Sequence, residues 1–250
     1  SGKTTQVKIL CERMKKEGIP VLCTQEPTRD GIFGKLVRSL YTSDSLYSFL
    51  PKELERYFAT DEYKTICSLA EGTEKRRIKQ YEEIGRQLRE GNFRNFPLFL
   101  QLGMIFDRSD HRVRVEIPAL GKGIHVISDR DFLSTLAYGE SQGLSWKKLL
   151  ECHEDIVGIH FIIPDIVIFL DVSVEVGFSR IQKKQDSTKD YFETEERMTH
   201  TRNAYRTILK NPRITNMIHI FDVDGTLEQE EIHGLVWITV LPLLAAPEKK

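Results

Sequence analysis

A chain of 250 residues is long enough for one large α/β domain or two small ones. Its 36 basic and 37 acidic residues leave a formal net charge of −1, so no overall field directs the protein toward nucleic acid or an anionic membrane. No apolar stretch approaches the roughly 20 residues that cross a bilayer, and the four cysteines are scattered without metal-ligand spacing. We therefore expect a cytoplasmic protein with reduced cysteines and without nucleic-acid or membrane partners.

The chain opens with the second half of a phosphate-binding loop. In the Walker A pattern G-x-x-x-x-G-K-[ST], glycine-rich backbone surrounds the phosphates, the lysine reaches the β- and γ-phosphate oxygens, and the hydroxyl binds Mg²⁺. Gly2, Lys3 and Thr4 provide the last three positions, while the sequence contains neither the first glycine nor a strand ahead of it. Apolar residues at helical spacing follow, and Gly18 ends the pattern. We predict a helix here, whose positive amino end would attract an anion.

Four short apolar runs are predicted to form a parallel sheet. Each is rich in isoleucine, valine or phenylalanine without alternation, which is typical of strands buried on both faces. Polar residues follow each run, and ligands bind beyond the carboxyl ends of parallel strands. The pattern predicts a three-layer α/β domain with its ligand site at these strand ends. The runs are Ile19–Thr24, Ile124–Ser128, Ile166–Leu170 and Ile218–Phe221, and the polar residues after them are Gln25-Glu26, Asp129-Arg130, Asp171 and Asp222.

Two segments differ from this alternation. Residues from about 41 to 95 are polar, contain the charge run Glu74–Arg77 and show helical patches. We expect a solvated helical insertion there, with a nucleic-acid surface as the alternative. The segment at about 181–195 is rich in lysine, which is typical of a lid that closes over phosphates or of an exposed hairpin between two helices. Both segments are placed inside a single domain that spans residues 1–250.

Six segments of the chain match the motifs of one enzyme family, in the same order along the sequence. The most specific runs from Ile124 to Tyr138, a strand that ends in Asp-Arg and is followed by a Ser/Thr pair and Ala-Tyr. The other five are Thr24–Pro27, Gly34–Arg38, Phe106–Leu120, Pro164–Asp171 and Val174–Ile181. Together they resemble the thymidylate kinases, which are P-loop nucleoside monophosphate kinases. The resemblance implies a three-layer P-loop kinase fold with a central parallel sheet whose first strand is missing here. It also implies phosphate transfer from ATP to dTMP, giving ADP and dTDP.

On the donor side, the resemblance implies that ATP and Mg²⁺ bind at the start of the chain. Thr4 and Asp129 would hold Mg²⁺. Lys3, Arg130 and Arg180 are implied as the catalytic residues, because phosphoryl transfer depends on cations that neutralise phosphate charge. The implied ATP-binding residues are Ser1, Gly2, Lys3, Thr4 and Thr5.

On the acceptor side, the resemblance implies two groups of substrate contacts. Arg38 and Arg130 match the arginines that hold the acceptor phosphate, since a guanidinium can bind two oxygens at once. Arg108 matches the arginine that donates to the pyrimidine edge, and Met104 occupies the position of an aromatic residue that stacks on the base. The remaining implied contacts are Glu26, Asp129, Ser134 and Thr135.

The chain departs from the family pattern at several positions that bear on substrate identity. Besides Met104, Gln25 stands where an arginine is usual, Asp131 where tyrosine or histidine is usual, and Gly139 where glutamine is usual. The lid reads Asp-Tyr-Phe-Glu without the family's arginine, so Arg180 would carry more of the phosphate charge.

Three alternatives stay open. A non-catalytic nucleotide-binding module would use the same phosphate loop, and a kinase for another deoxynucleotide or deoxynucleoside shares the broad plan. The run Asp222-Val-Asp224-Gly-Thr226 is typical of haloacid-dehalogenase-type phosphatases, whose first aspartate attacks phosphate, although that fold needs a further domain after the motif. For the kinase, we expect a homodimer. We also expect the chain expressed from Ser1 to fold poorly and not to bind ATP without its upstream residues.

Overall fold

A computed structural model of the protein describes residues 2–42, 46–183 and 194–244. The strands are β1 (Val21–Gln25), β2 (His125–Asp129), β3 (Ile166–Asp171) and β4 (His219–Asp224). The helices are α1 (Lys3–Lys16), α2 (Ile32–Thr42), α3 (Leu46–Phe58), α4 (Asp61–Leu69), α5 (Gly72–Arg89), α6 (Phe96–His111), α7 (Ile117–Leu120), α8 (Phe132–Ser141), α9 (Trp146–Val157), α10 (Val174–Gln182), α11 (Glu195–Leu209), α12 (Pro212–Thr215) and α13 (Gln229–Leu244). A π-helical turn (Arg112–Glu116) joins α6 to α7, and a 3₁₀ turn (Gly158–His160) follows α9. Within these residues, no helix is long and apolar enough to cross a membrane.

The four predicted strand runs are strands, and they pair in parallel as expected. β1 pairs with β2, and β3 pairs with β4. Helices and loops make each crossover, as parallel pairing requires. In the described residues these pairs are two separate two-stranded sheets, so a continuous central sheet and a strand ahead of Gly2 stay predictions. The registers run from Val21 opposite His125 to Gln25 opposite Asp129, and from Ile166 opposite His219 to Asp171 opposite Asp224.

The polar segment between residues 41 and 95 forms helices that bury one face. On α5, Ile78, Tyr81, Ile84 and Leu88 recur at helical spacing and are buried, while most charged residues between them are exposed. Tyr81 stacks on Phe99 of α6, with ring centroids 4.1 Å apart. The charge run is only partly solvated, because half-buried Arg77 donates from Nη2 to Asp155 of α9 at 2.6 Å. The opposite face of α5 belongs to the core that supports α6.

Two of the four cysteines differ from the expectation of reduced thiols. Cys11, on the buried face of α1, and Cys23, in β1, form a disulfide with their Cα atoms 6.4 Å apart. Cys67 and Cys152 are free. The expectation was wrong for the first pair because α1 folds back along β1 and brings residues 12 positions apart into contact. Cysteine spacing alone contained no sign of this contact.

Candidate active site at the carboxyl ends of β1 and β2

The carboxyl ends of β1 and β2 lie side by side, and α1 begins next to them. The Glu26 amide donates to the Asp129 carbonyl at 3.1 Å, just after the last residue pair of the two strands. Thr4 Oγ1 donates to Asp129 Oδ2 at 2.5 Å, across 125 positions of sequence. A hydroxyl and a carboxylate are hard oxygen donors of the kind that Mg²⁺ takes, and that ion usually needs few of them from the protein. The two residues expected to hold Mg²⁺ are in contact and fit that ion.

The amino end of α1 offers backbone N–H groups to an anion. Gly2 precedes the helix with a φ of 83°, a left-handed conformation that glycine adopts readily. The first N–H groups of a helix have no intrahelical acceptor, and the helix dipole makes this end positive. Among the described residues, no side chain caps these groups, and the first turn contains no acidic residue. This end is therefore suited to phosphate, with Lys3 half-buried and Thr5 exposed; Ser1 lies outside the described residues.

Arg130 follows β2 in an unusual backbone conformation. Its φ of 80° is left-handed, which costs a non-glycine residue roughly 1–3 kcal/mol and is most common at functional sites. Ser128 Oγ donates to the Arg130 carbonyl at 2.6 Å. The Arg130 side chain donates from Nη1 to the Tyr138 hydroxyl at 3.0 Å and lies over the Tyr138 ring. The Tyr138 phenol raises the pKa of Arg130, so a permanent cation stands one residue after Asp129.

Arg108 of α6 lies in a buried polar network. Its side chain is 0 % exposed. Nε donates to both carboxylate oxygens of Glu26 at 3.0 Å, and Nη2 donates to Glu26 Oε2. Nη1 donates to Thr135 Oγ1 at 3.2 Å and to His153 Nε2 at 2.7 Å. Two of the predicted substrate contacts, Glu26 and Thr135, therefore both bind a third, Arg108.

Asp131 neutralises two buried arginines. Its carboxylate lies 3.1 Å from Arg108 Nε and accepts two hydrogen bonds from Arg112 Nη2, at 2.9 and 3.1 Å. Tyrosine or histidine, which the family resemblance leads us to expect at this position, would not supply that negative charge. Burial alone would lower the pKa of Arg108, but the carboxylates of Glu26 and Asp131 raise it. Burial raises the pKa of Glu26, although Arg108 opposes this shift.

Two further residues of α6 hold the end of β1 and the loop that follows it. Asp107 accepts hydrogen bonds from the Thr28 amide at 2.7 Å and from Thr28 Oγ1 at 2.6 Å. Burial raises the pKa of Asp107, and these hydrogen bonds oppose the shift. His111 Nε2 lies 2.5 Å from Thr24 Oγ1. Together with Arg108, these side chains fix alternate residues, from the end of β1 into the loop, to a single helix.

Arg38 of α2 is turned onto the same loop. Its Nε donates to the Thr28 carbonyl at 3.0 Å, and its Nη2 donates to the Pro27 carbonyl. In the amide orientation that satisfies both neighbouring arginines, Gln25 Oε1 accepts from Arg29 Nε at 2.9 Å and from Arg38 Nη2 at 2.8 Å. Gln25, where the resemblance leads us to expect an arginine, therefore supports Arg38 and adds no cation of its own.

Ser134 and Met104 are both buried beside this network. Ser134, on α8, accepts a hydrogen bond from the Tyr205 hydroxyl at 2.8 Å. Met104 lies on α6, one helical turn before Arg108, and belongs to the same core cluster as Tyr81 of α5. Their positions put them on the two helices that carry Arg108 and Thr135.

Arg180, another predicted catalytic residue, has a contact at the other strand pair. Its Nη1 donates to the Gly225 carbonyl at 2.8 Å, directly after β4. The lid expected at about 181–195 falls mainly on residues 184–193, which lie outside the described residues. At the same strand end, Asp224 accepts hydrogen bonds from the Thr226 amide and hydroxyl at 2.8 and 2.6 Å. These contacts make a local turn of the Asp-x-Asp-Gly-Thr run.

Sequence reasoning missed the supporting roles of Asp107, Arg112 and His153. Asp107 stands inside a motif that was already singled out, and its place beside Arg108 was the available signal. Arg112 lies one turn after Arg108, on the π-helical segment. His153 is a buried polar residue on α9, 45 positions from Arg108. No sequence pattern pointed to His153, because its role arises only where two distant helices meet.

Comparison with known proteins identifies the family of this chain. Residues 73–233 match the family model described as thymidylate kinase. A thymidylate kinase of Bradyrhizobium sp. (strain ORS 278) is 29% identical over 244 residues, covering 96% of this chain and 84% of the relative. The probable thymidylate kinase of Thermococcus gammatolerans is 28% identical, with 94% of each chain covered. That of Thermococcus onnurineus is 31% identical over 189 residues, covering 76% of this chain and 70% of the relative. The chain belongs to the thymidylate kinase family of phosphotransferases.

Proposed function

We propose that the protein transfers the γ-phosphate of MgATP to dTMP and releases ADP and dTDP. The observation that carries this proposal is the Thr4–Asp129 hydrogen bond. It joins the helix that begins at Gly-Lys-Thr to the strand that ends in Asp-Arg. In a member of the thymidylate kinase family, this contact brings the donor-binding motif to the motif proposed to bind the acceptor.

Phosphoryl transfer depends on positioning and charge neutralisation more than on covalent chemistry. The residues near the carboxyl ends of β1 and β2 are suited to both tasks. Lys3 and the amino end of α1 would bind the ATP phosphates, while Arg130 and Arg38 would hold the acceptor phosphate. Thr4 and Asp129 would hold Mg²⁺, which when bound neutralises charge on the phosphate oxygens. Arg180 would add a cation from α10, next to the proposed lid.

The base would be recognised through Arg108. Glu26, Thr135 and His153 occupy its Nε hydrogen, both Nη1 hydrogens and one Nη2 hydrogen. The described part of the chain offers no partner to the second Nη2 hydrogen, which is the kind of donor that a pyrimidine carbonyl accepts. Met104 and Ser134 lie on the same helices as Arg108 and Thr135 and would line the base site.

Two structural features belong to the same proposal. We propose that the two strand pairs share one central sheet in a three-layer fold. One apolar cluster supports this, because it contains Leu170 and Val223 of the second pair and packs against Val21 and Ile127 of the first. We also propose a homodimer in the cytoplasm, and light scattering of the purified chain tests the dimer.

A substrate panel tests the activity. Purified protein with MgATP should form ADP fastest with dTMP, compared with dUMP, dCMP, dAMP, dGMP and thymidine, and the dTDP product is identified by chromatography. A faster reaction with another acceptor would reassign the substrate. Nucleotide binding without turnover of any acceptor would instead favour a non-catalytic nucleotide-binding module. Arg86→Ala is the control variant, because Arg86 is an exposed residue of α5 that pairs with Glu83 and Glu90, and it should keep the wild-type rate with dTMP.

A further inference from the structure

The surroundings of His153 allow one form of its ring, the neutral tautomer with the proton on Nδ1. The side chain is 0 % exposed. Its Nδ1 lies 2.7 Å from the Leu149 carbonyl and its Nε2 lies 2.7 Å from Arg108 Nη1. A carbonyl only accepts hydrogen bonds and a guanidinium only donates them, so the proton must be on Nδ1 and the lone pair on Nε2. Burial and the positive charge of Arg108 lower the pKa of His153 well below its usual value, which is consistent with a neutral ring.

The imidazole ring is also held in place by aromatic neighbours. Phe161 stacks on it with a centroid distance of 5.5 Å and an interplanar angle of 27°, and Phe132 meets it edge-on at 6.1 Å. The Leu149 contact fixes the ring to its own helix, α9. Nε2 is therefore a rigid acceptor, delivered from a helix other than the two that carry Arg108 and Thr135.

A neutral acceptor suits the charges around Arg108. Glu26 and Asp131 already place two carboxylates against this guanidinium, and Arg112 shares only one of them. A third carboxylate would add a buried negative charge without a cation of its own. A neutral imidazole instead occupies one Nη1 hydrogen while leaving the charge of the network unchanged.

We propose that His153 is a positioning residue, which holds the Arg108 guanidinium in the rotation that leaves its second Nη2 hydrogen for the pyrimidine base of the acceptor nucleotide. This inference rests on the proposed function. Glu26 binds one edge of the guanidinium, and His153 and Thr135 bind its far corner, so the plane is held from two sides. Without His153, a buried N–H lacks its acceptor, and the guanidinium gains another position that competes with the base contact.

Loss of the His153 contact should weaken binding of the acceptor nucleotide and leave the rate of the chemical step nearly unchanged. Contacts to the base remain the same in the ground state and the transition state, so their loss raises KM and leaves kcat nearly unchanged. His153→Leu should raise the KM for dTMP about 10- to 150-fold, the range for a lost hydrogen bond to a charged group. The KM for MgATP and kcat should each stay within about threefold. Discrimination between dTMP and dCMP should fall in the same variant.

Two amide variants separate positioning from packing. His153→Gln reaches about as far as Nε2 and keeps an acceptor oxygen, whereas His153→Asn is one methylene shorter and falls short of Arg108. We expect the Gln variant to recover the wild-type KM for dTMP within about threefold, while the Asn variant behaves as His153→Leu. The amide pair also decides the matter if the Leu variant does not fold, since both amides are polar and differ by one carbon. Thermal unfolding of each variant checks its fold.

The outcomes distinguish this inference from the proposed function. If wild-type protein phosphorylates dTMP but the Gln and Asn variants have equal KM values, His153 has no positioning role. Equal losses in kcat and in both KM values would show a merely structural role and would overturn the inference. If wild-type protein neither binds nor phosphorylates dTMP, the proposed function fails first and the inference fails with it.

Discussion

The two parallel strand pairs end in carboxylates, but these carboxylates have different partners. At the end of β3–β4, Asp171 accepts hydrogen bonds from Arg202 and Arg206 of α11, and Asp224 accepts from Thr226 two residues later. At the end of β1–β2, Asp129 contacts a hydroxyl from the amino end of α1, and the next residue is a strained arginine. A carboxylate with arginine or turn partners of its own has little capacity left for a ligand. The comparison shows that the partners of a strand-end carboxylate, more than its position, distinguish a candidate site from a structural contact.

Hydrogen bonds stabilise the ionised form of the two aspartates at the end of β3–β4. Partial burial alone would raise the pKa of Asp171, but the hydrogen bonds from Arg202 and Arg206 hold it below its usual value. The Thr226 hydroxyl and amide lower the pKa of Asp224 in the same way. The Asp-x-Asp-Gly-Thr run, which suggested a phosphatase nucleophile, is thus a strand end whose second aspartate shapes the turn before α13.

The largest effect is expected from substitutions that test the catalytic role of the residues near the end of β1–β2. Arg130→Ala and Lys3→Ala should each lower kcat for dTMP phosphorylation by about 10²- to 10³-fold, because each removes charge stabilisation of the transferring phosphate. Steady-state ADP release measures this, with circular dichroism to check the fold. Arg86→Ala is the matched control and should stay within about threefold of wild type, since Arg86 is an exposed residue of α5 that pairs with Glu83 and Glu90. Near wild-type rates in both cation variants would place the active site elsewhere.

A reciprocal pair of substitutions sharpens the comparison. Asp171→Asn should lower the free energy of unfolding by roughly 1–2 kcal/mol, because it leaves Arg202 without its counter-ion while half-exposed Arg206 contributes little. Asp129→Asn should instead lower kcat and weaken Mg²⁺ binding, with little change in stability. Urea unfolding and an Mg²⁺ titration of the rate separate the two effects. If both variants lose stability, or both lose activity, the proposed difference between the two strand ends is wrong.

The pH dependence of stability should also differ between the ends. His153 has a lowered pKa, so below its unfolded pKa of about 6.5 the unfolded chain binds a proton that the folded chain does not, and stability falls by up to ~1.4 kcal/mol per pH unit. Glu26, with its raised pKa, acts in the opposite direction. The lowered pKa values of Asp171 and Asp224 favour folding above their unfolded pKa of about 3.9, and that stability is lost only as the pH falls further.

The measurement is urea unfolding of wild type and His153→Gln at pH about 7.5 and about 5.5, on either side of the unfolded histidine pKa. Wild type should lose more stability on acidification than the variant, since only wild type has this histidine to protonate on unfolding. An identical loss in the two proteins would mean that His153 is already protonated in the folded state.

The smallest expected effect lies inside the base site. Met104→Phe should tighten dTMP binding by about 0.5–1.5 kcal/mol, the range for an aromatic pair, because a ring would stack where a flexible thioether now lies. Calorimetric titration of dTMP measures it, with Met104→Leu as a control of similar size. Weaker binding by the Phe variant, or no change, would place the base away from α6.

Much of the fold could be predicted because local chemistry decides it. The four apolar runs lack alternation, which is typical of parallel strands, and they pair in parallel as predicted. The expected burial on both faces is not reached, because most residues of the described strands are half-buried. The Gly-Lys-Thr end of the loop predicted α1. In the segment at 41–95, charge predicted the exposed face of α5. Its buried aromatic face was missed, because polar composition hides apolar residues that recur only every third or fourth position.

The sequence by itself determined which residue types stand at the strand ends, and so the family and the motifs that could meet. Tertiary structure alone decided which of them do meet: Thr4 with Asp129, Arg108 with Glu26 and His153, and Cys11 with Cys23. The physical reason is that propensity and periodicity act over a few neighbouring residues. A hydrogen bond across 125 positions, by contrast, depends on how whole helices pack against the strands.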